Sequence, residues 1–321
     1  MSIKPILIVA GEPYSIFSEI FFKALKKKEI KKPIVLIASK ELIKTQMINL
    51  NYSFKINIIE KDRFNCQSLK KNTINLIDVN FKFKKSFDKI STKSNSYIKE
   101  SFEIALKLLK KKKFIGLING PISKKHFLGE KFLGVTEYLA SKTGCRDNIA
   151  MLIYNKKLSV SPLTTHLALK DVYKKITKKR IINNVKMISE FYRTKLNKKA
   201  KIGITGLNPH CESNYKSSEE KKIIKPAIKY LIKKKNKVSG PFAADTIFMY
   251  NNIKKYDVIL GMYHDQVLTP SKALFGFNAI NITLGLPFIR ISPDHGPNEN
   301  MQGENKSNPQ SLIEALKFLD K

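Results

Sequence analysis

YDVILGMYHDQ, residues 256–266, is an apolar run that stops on a histidine and a carboxylate side by side. Short apolar runs bounded by polar turns read as strands buried in a sheet. Four other apolar runs end in polar loops. Residues 6–10 lead into GEP (11–13), 114–118 into NGPISK (119–124), 158–160 into SPLTTH (161–166) and 201–205 into GLNPHCE (206–212). Residues 33–38 and 149–154 are further strands. Helical patterns lie between them. Residues 15–25 form one, and 96–109 form another whose Lys110–Lys113 tail suits a helix C-terminus. Ile181, Val185, Ile188 and Tyr192 share one helical face, as do Ile224, Ile228, Leu231 and Ile232. Ser217 and Glu220 read as a capping box, and Asn308-Pro309 as N-cap and N1 of a last helix over 310–319. This alternation predicts an α/β protein with a largely parallel sheet.

With 321 residues and 42% hydrophobic content, the chain can fill one large domain or two ordinary ones. No apolar run approaches the roughly 18 residues of a membrane span, and no signal-peptide pattern opens the sequence. A soluble cytoplasmic protein with no membrane partner is expected. Cys66, Cys145 and Cys211 lie far apart with no CxxC pair, as expected of free thiols in a reducing compartment. The formal charge of +34 is nearly all lysine; the only arginines are Arg63, Arg146, Arg180, Arg193 and Arg290. Nucleic-acid recognition favours the guanidinium fork. The lysines are therefore read as solvated helix faces, with no nucleic acid as partner, and a non-catalytic polyanion binder is kept as the alternative of another class.

Ligands of open α/β sheets bind at the carboxyl ends of the strands, so the polar tails of the runs are where chemistry is expected. Three of the five histidines, His166, His210 and His264, fall there. They are either hydrogen-bonded loop residues or ligands of a catalytic divalent metal. Lys272, Asn281 and Arg290 follow at nine-residue intervals. Asn281 interrupts the apolar run 279–284, where a buried amide needs a partner, either backbone or ligand. Arg290 closes the run 286–289 and is either half of an internal ion pair or, with Lys272 and Asn281, a clamp for phosphate or carboxylate.

NITLGLPFIR (281–290), GMYHDQ (261–266), LNPHCE (207–212), TTHLAL (164–169), NGPISK (119–124) and GPFAADTIF (240–248) together resemble the PdxA family, the 4-hydroxythreonine-4-phosphate dehydrogenases of vitamin B6 biosynthesis. The matches run in family order along the whole chain. The resemblance implies two α/β/α domains like those of isocitrate and isopropylmalate dehydrogenases. Residues 1–120 with 270–321 would form the first, and 121–269 the second, with the metal ligands and dimer contacts. It implies a homodimer with a shared active site in the interdomain cleft. His166, His210 and His264 would be metal ligands drawn from both subunits. Thr136, Lys272, Asn281 and Arg290 would bind substrate, and Asp245 and Asp265 would be the catalytic carboxylates. The implied cofactors are NAD or NADP and one divalent metal per site, zinc, magnesium or cobalt. The implied reaction oxidises 4-phosphohydroxy-L-threonine and decarboxylates the product to 3-amino-2-oxopropyl phosphate, in pyridoxal phosphate biosynthesis. The same chemistry on another phosphorylated hydroxy acid is the alternative. No GxGxxG occurs, so a Rossmann mode of NAD binding is not indicated.

The chain departs from the family pattern in three loops. The family's GHTE reads GVTE (134–137), which puts Val135 where a substrate-binding histidine is expected. GEPAGIGPE reads GEPYSIFSE (11–19), and DHGTA reads DHGPN (294–298) followed by ENMQGENKS. Such changes suit a relative with an altered substrate or weakened cofactor binding, and equally relaxed sequence drift in a reduced genome.

Overall fold

Every side chain of Ile6–Val9 is fully buried. A strand with no wet face belongs inside a parallel sheet covered by helices on both sides. The structure, a computed structural model, describes residues 4–129, 131–146, 148–211, 217–276, 278–293 and 295–321. Glu212 of the GLNPHCE stretch and Asp294 of DHGPN lie outside them. In chain order the elements are β1 Ile6–Val9, α1 Phe17–Lys26, β2 Ile34–Ala38, α2 Lys40–Asn49, β3 Ile56–Ile58, β4 Ile74–Asp78, α3 Asn95–Lys110, β5 Gly116–Asn119, α4 Val135–Thr143, β6 Ala150–Tyr154 and β7 Ser159–Thr164. They continue as α5 Leu169–Lys175, α6 Lys178–Lys195, β8 Ile202–Thr205, α7 Lys225–Lys233, β9 Val238–Phe242, α8 Ala244–Ile247, α9 Tyr250–Ile253, β10 Val258–Tyr263, α10 His264–Phe275, β11 Ile280–Leu284, β12 Arg290–Pro293 and α11 Gln310–Asp320. The chain divides into two compact units, Met1–Leu139 with Pro287–Lys321, and Ala140–Leu286. These divisions fall later in the chain than the 120/121 and 269/270 boundaries that the resemblance implies.

In the first unit the strands run β3-β4-β2-β1-β5-β12, and every pairing is parallel. Phe21, Phe22 and Phe102 from α1 and α3 and Leu312 and Leu316 from α11 are fully buried. The strand ends pass each other closely. A Cβ on Gly120 would sit 2.0 Å from the Ala10 carbonyl oxygen, and Gly11, at φ +81, faces the Pro121 oxygen in the same way. The glycines of GEP and NGP are there because backbone fills the space a side chain would need.

The second unit runs β11-β6-β7-β10-β8-β9. Strands β7, β10, β8 and β9 are parallel, whereas β6 is antiparallel to both β7 and β11. Parallel pairing thus dominates where the strand-end histidines lie. The predicted stripe Ile181, Val185, Ile188 and Tyr192 is buried on α6. On the other predicted face Ile224, Ile228 and Leu231 are buried but Ile232 is 54% exposed. Leu231 and Ile232 are consecutive, about 100° apart around the helix, and here the core takes Leu231 while Ile232 turns to the surface. The predicted capping box is not formed. Lys221 N donates to Ser218 Oγ at 3.3 Å, and the Glu220 carboxylate turns to a different loop. At the last helix, Gln310 N donates to Asn308 Oδ1 at 2.9 Å, and Pro309 is the N-cap rather than N1. Among the described residues, no helix is long and apolar enough to cross a membrane.

Candidate functional site

Strands β7 and β10 pair in parallel with Tyr263 opposite Thr164, so they end level. His166 lies two residues beyond one end and His264 one residue beyond the other. Their ring centroids are 6.2 Å apart. The Thr164 hydroxyl donates to the Met262 carbonyl at 2.8 Å and ties the two ends together. No loop separates β10 from α10, which starts at His264 itself. His264 Nδ1 lies 2.6 Å from Asp265 Oδ1. A carboxylate accepts from Nδ1–H, which leaves Nε2 as the lone-pair nitrogen, the arrangement found behind metal-binding histidines. Asp265, in the first turn of α10, is also well placed for the helix dipole.

His210 sits on the turn Pro209–Cys211 that follows β8, the neighbour of β10. Its Nδ1 is 3.9 Å from Asp245 Oδ2, on the first turn of α8. Each predicted catalytic carboxylate therefore stands beside a histidine. Among the described residues of one chain, no group of three or more His, Cys, Asp or Glu is close enough to hold a metal ion. The His166–His264 pair, with a carboxylate on one Nδ1, fits a divalent metal by its donor chemistry. The rest of such a ligand set has to come from beyond these neighbours.

Lys272 is exposed in the last turn of α10. Asn281 lies on β11, partly buried, and its Oδ1 is buried with no hydrogen-bond partner among the described residues. A buried amide oxygen left dry costs about 1–3 kcal/mol, so Asn281 is suited to receive a ligand donor.

In the first unit, β12 begins at Arg290, which is 2% exposed. Its Nε donates to Asn119 Oδ1 at 2.7 Å and its Nη1 to Thr136 Oγ1 at 3.0 Å. Burial pushes its pKa down to about 10, while the nearby Glu137 charge acts in the opposite sense. Thr136 and Arg290 are thus brought together, and Glu137 supplies the charge of the ion-pair alternative. Sequence reasoning missed Asn119 as a site residue; its one signal was its place at the end of a strand in NGPISK. Val135, where the family pattern has histidine, is the half-buried first residue of α4. Glu12, in the loop after β1, is 1% exposed. Burial raises its pKa to about 7, Ser94 and the Tyr14 backbone pull it down, and the Glu299 charge adds to the rise.

Two α/β units, with imidazoles and carboxylates at the strand ends of one and a buried arginine in the other, define an α/β fold of the isocitrate dehydrogenase kind. A solved isocitrate dehydrogenase from Methylococcus capsulatus shares this fold at a TM-score of 0.50 and 9% identity, over 97% of this chain and 83% of that one. The chain belongs to the PdxA family: the family model described as pyridoxal phosphate biosynthetic protein PdxA matches residues 29–319. A relative named 4-hydroxythreonine-4-phosphate dehydrogenase, from Sulfurihydrogenibium sp. (strain YO3AOP1), is 39% identical over 97% of this chain and 96% of its own length. The crystal structure of 4-hydroxythreonine-4-phosphate dehydrogenase from Klebsiella pneumoniae matches with a TM-score of 0.83 and 26% identity, over 98% of both chains.

Proposed function

We propose that this protein is a cytoplasmic, NAD-dependent 4-hydroxythreonine-4-phosphate dehydrogenase of pyridoxal phosphate biosynthesis, assembled as a homodimer with one divalent metal per site. The observation that carries the reading is the level pair of His166 and His264 with Asp265 on Nδ1, in a chain that matches dehydrogenases of this name over nearly its full length. One chain gathers two of the three histidines, which supports a site completed by a second copy. His166, His210 and His264 would hold the metal.

When bound, the metal supplies Lewis acidity that lowers the pKa of a substrate hydroxyl, and NAD accepts the hydride. Asp265 holds His264 in one tautomer and orientation, and Asp245, 3.9 Å from His210 Nδ1, places a negative charge beside that ring without a hydrogen bond to it. Thr136, Lys272, Asn281 and Arg290 bind the substrate. The guanidinium of Arg290, already fixed on two sides, meets a phosphate or carboxylate without further loss of freedom. Oxidation of the secondary alcohol gives a β-keto acid and NADH with release of a proton. Loss of CO2 from that acid leaves 3-amino-2-oxopropyl phosphate. The test is NADH formation from 4-phosphohydroxy-L-threonine with and without added divalent metal. Metal-dependent turnover is expected, and none with either would overturn the reading. Val135 favours a second reading, the same reaction on a different phosphorylated hydroxy acid, which a substrate panel in the same assay distinguishes.

A further inference from the structure

The turn that presents His210 is strained. His210 lies at φ 57, ψ 8, and Cys211 follows at φ 57. Non-glycine residues in the left-handed region are strained and persist only where the surroundings over-determine them. Two buried or half-buried side chains do so here. The Glu220 carboxylate is 1% exposed. Its Oε1 accepts from Leu207 N at 2.8 Å and Asn208 N at 2.9 Å, and its Oε2 from Asn208 Nδ2 at 2.9 Å. Burial alone would raise its pKa, yet the bonds from Asn208 and Leu207 hold it below the ordinary carboxylate range. On the other side, Gln266 Nε2 donates to the Gly206 carbonyl at 2.8 Å, and its Oε1 accepts from Thr205 Oγ1 at 2.8 Å and Met262 N at 2.7 Å. The space between is full. A Cβ on Gly206 would lie 2.6 Å from Cys211 Sγ and 3.1 Å from Glu220 Oε1.

We propose that Glu220 is the positioning residue for His210: it grips the backbone on the near side of the turn, while Gln266 ties the same loop to the strand that ends just before His264. Glu220 does not ligate the metal. It receives the two N–H groups that enter the turn, so the left-handed pair that follows has one conformation rather than several. The inference rests on the reading of His210 as a metal ligand.

The test compares wild type, Glu220→Gln, Asn208→Ala and His210→Ala, each titrated with Co2+ against a chelator. The visible Co2+ spectrum and amide hydrogen exchange over residues 205–211 are recorded as well. Glu220→Gln keeps the shape but sets an NH2 group against the Asn208 donors. It is expected to weaken Co2+ binding about 10–100-fold, the usual effect of losing an outer partner of a metal ligand. It should also shift the spectrum and speed exchange in the turn, with turnover recovering at excess metal. Asn208→Ala removes the side-chain donor, which also reaches Glu219 Oε2 at 3.0 Å, keeps both backbone donors to Glu220 and should give the same changes in weaker form, with Glu219→Gln as its control; it decides the matter if Glu220→Gln does not fold. A lowered melting temperature with unchanged Co2+ affinity and spectrum, in a protein where His210→Ala does weaken Co2+, would overturn the proposal and leave the metal reading intact. Unchanged affinity in His210→Ala would overturn both.

Discussion

Replacing Arg290 by lysine separates the two readings of that residue. The guanidinium is 2% exposed and donates from Nε to Asn119 and from Nη1 to Thr136. These acceptors meet two different nitrogens of a planar fork. An ammonium on a flexible stem keeps the charge and reaches one acceptor at a time. One hydrogen bond from a charged donor is lost, worth about 1.5–3 kcal/mol, and a buried oxygen is left dry. Urea unfolding followed by tyrosine fluorescence, practicable because the chain has 12 Tyr and no Trp, should show Arg290→Lys less stable by that amount. If the arginine also clamps a substrate anion, kcat/KM for 4-phosphohydroxy-L-threonine should fall about 10- to 150-fold, the same energy read as a rate, mostly through KM. A stable variant would refute the hydrogen-bond account. A destabilised variant whose folded fraction keeps the wild-type KM would refute the clamp and assign Arg290 to the internal ion pair with Glu137.

Glu12 should make stability fall with rising pH. Its folded pKa of about 7 lies above the ordinary 4.5, so the folded state holds the extra proton. The contribution is full below about pH 4.5 and is lost as pH rises through 7, a change on the order of 3 kcal/mol. The urea stability of wild type relative to Glu12→Gln should drop by about that much between pH 5 and 8, and a flat difference would show that Glu12 is not protonated in the fold. Asp265→Asn should weaken metal binding about 10-fold or more by a chelator competition, with turnover recovering at saturating metal; persistent loss there would instead make Asp265 a proton-transfer group. Val135→His should raise kcat/KM for 4-phosphohydroxy-L-threonine by the worth of one hydrogen bond to a charged group, about 1.5–3 kcal/mol. No gain, with wild-type activity already high, would show valine to be neutral at this position.

The strands were legible because several are buried on both faces and read as unbroken apolar runs. Residues 6–10, 33–38 and 149–154 in the sequence became β1, β2 and β6 within a residue or so at each end. The strand-end rule then located the histidines. What stayed hidden depends on partners far along the chain. Helix α10 was not anticipated: it begins on the residue directly after a strand, has no side-chain cap and carries Pro270 inside it. Glu220 stands where a capping box would put it, and local spacing could not reveal that its carboxylate serves Leu207 and Asn208. Asn119 and Arg290 are 171 positions apart, and a single sequence has no signal for that pairing. Periodicity reports which face is buried. It does not report which polar groups share the buried space.

The loops that depart from the family pattern show the same limit from the other side. In the sequence, GEPYSIFSE at 11–19 and the stretch from 294 to 307 look like two separate changes. In the first unit they are bonded to each other. Ile16 N donates to the Pro297 carbonyl at 3.2 Å and Gln302 Nε2 to the Tyr14 carbonyl at 2.9 Å. Ser307 N donates to the fully buried Glu19, and Lys23 Nζ bridges Glu19 Oε1 at 2.8 Å to the Asn305 and Ser307 carbonyls at 2.9 and 2.8 Å. The bulk added at 11–19 is accommodated as well. Tyr14 meets Phe81 edge-on at 5.5 Å, Phe17 stacks on Phe21 at 5.5 Å, and both are under 10% exposed. The fit is not complete, because Ser18 Oγ, Glu19 Oε2 and Ser307 Oγ are buried in these segments with no hydrogen-bond partner among the described residues, each a cost of about 1–3 kcal/mol. Here polar residues on one segment close the backbone of the other, and aromatic rings fill the space that small residues would have left. The two departures are therefore one bonded feature at the strand ends of the first unit, and a substitution in either segment is felt by the backbone of the other.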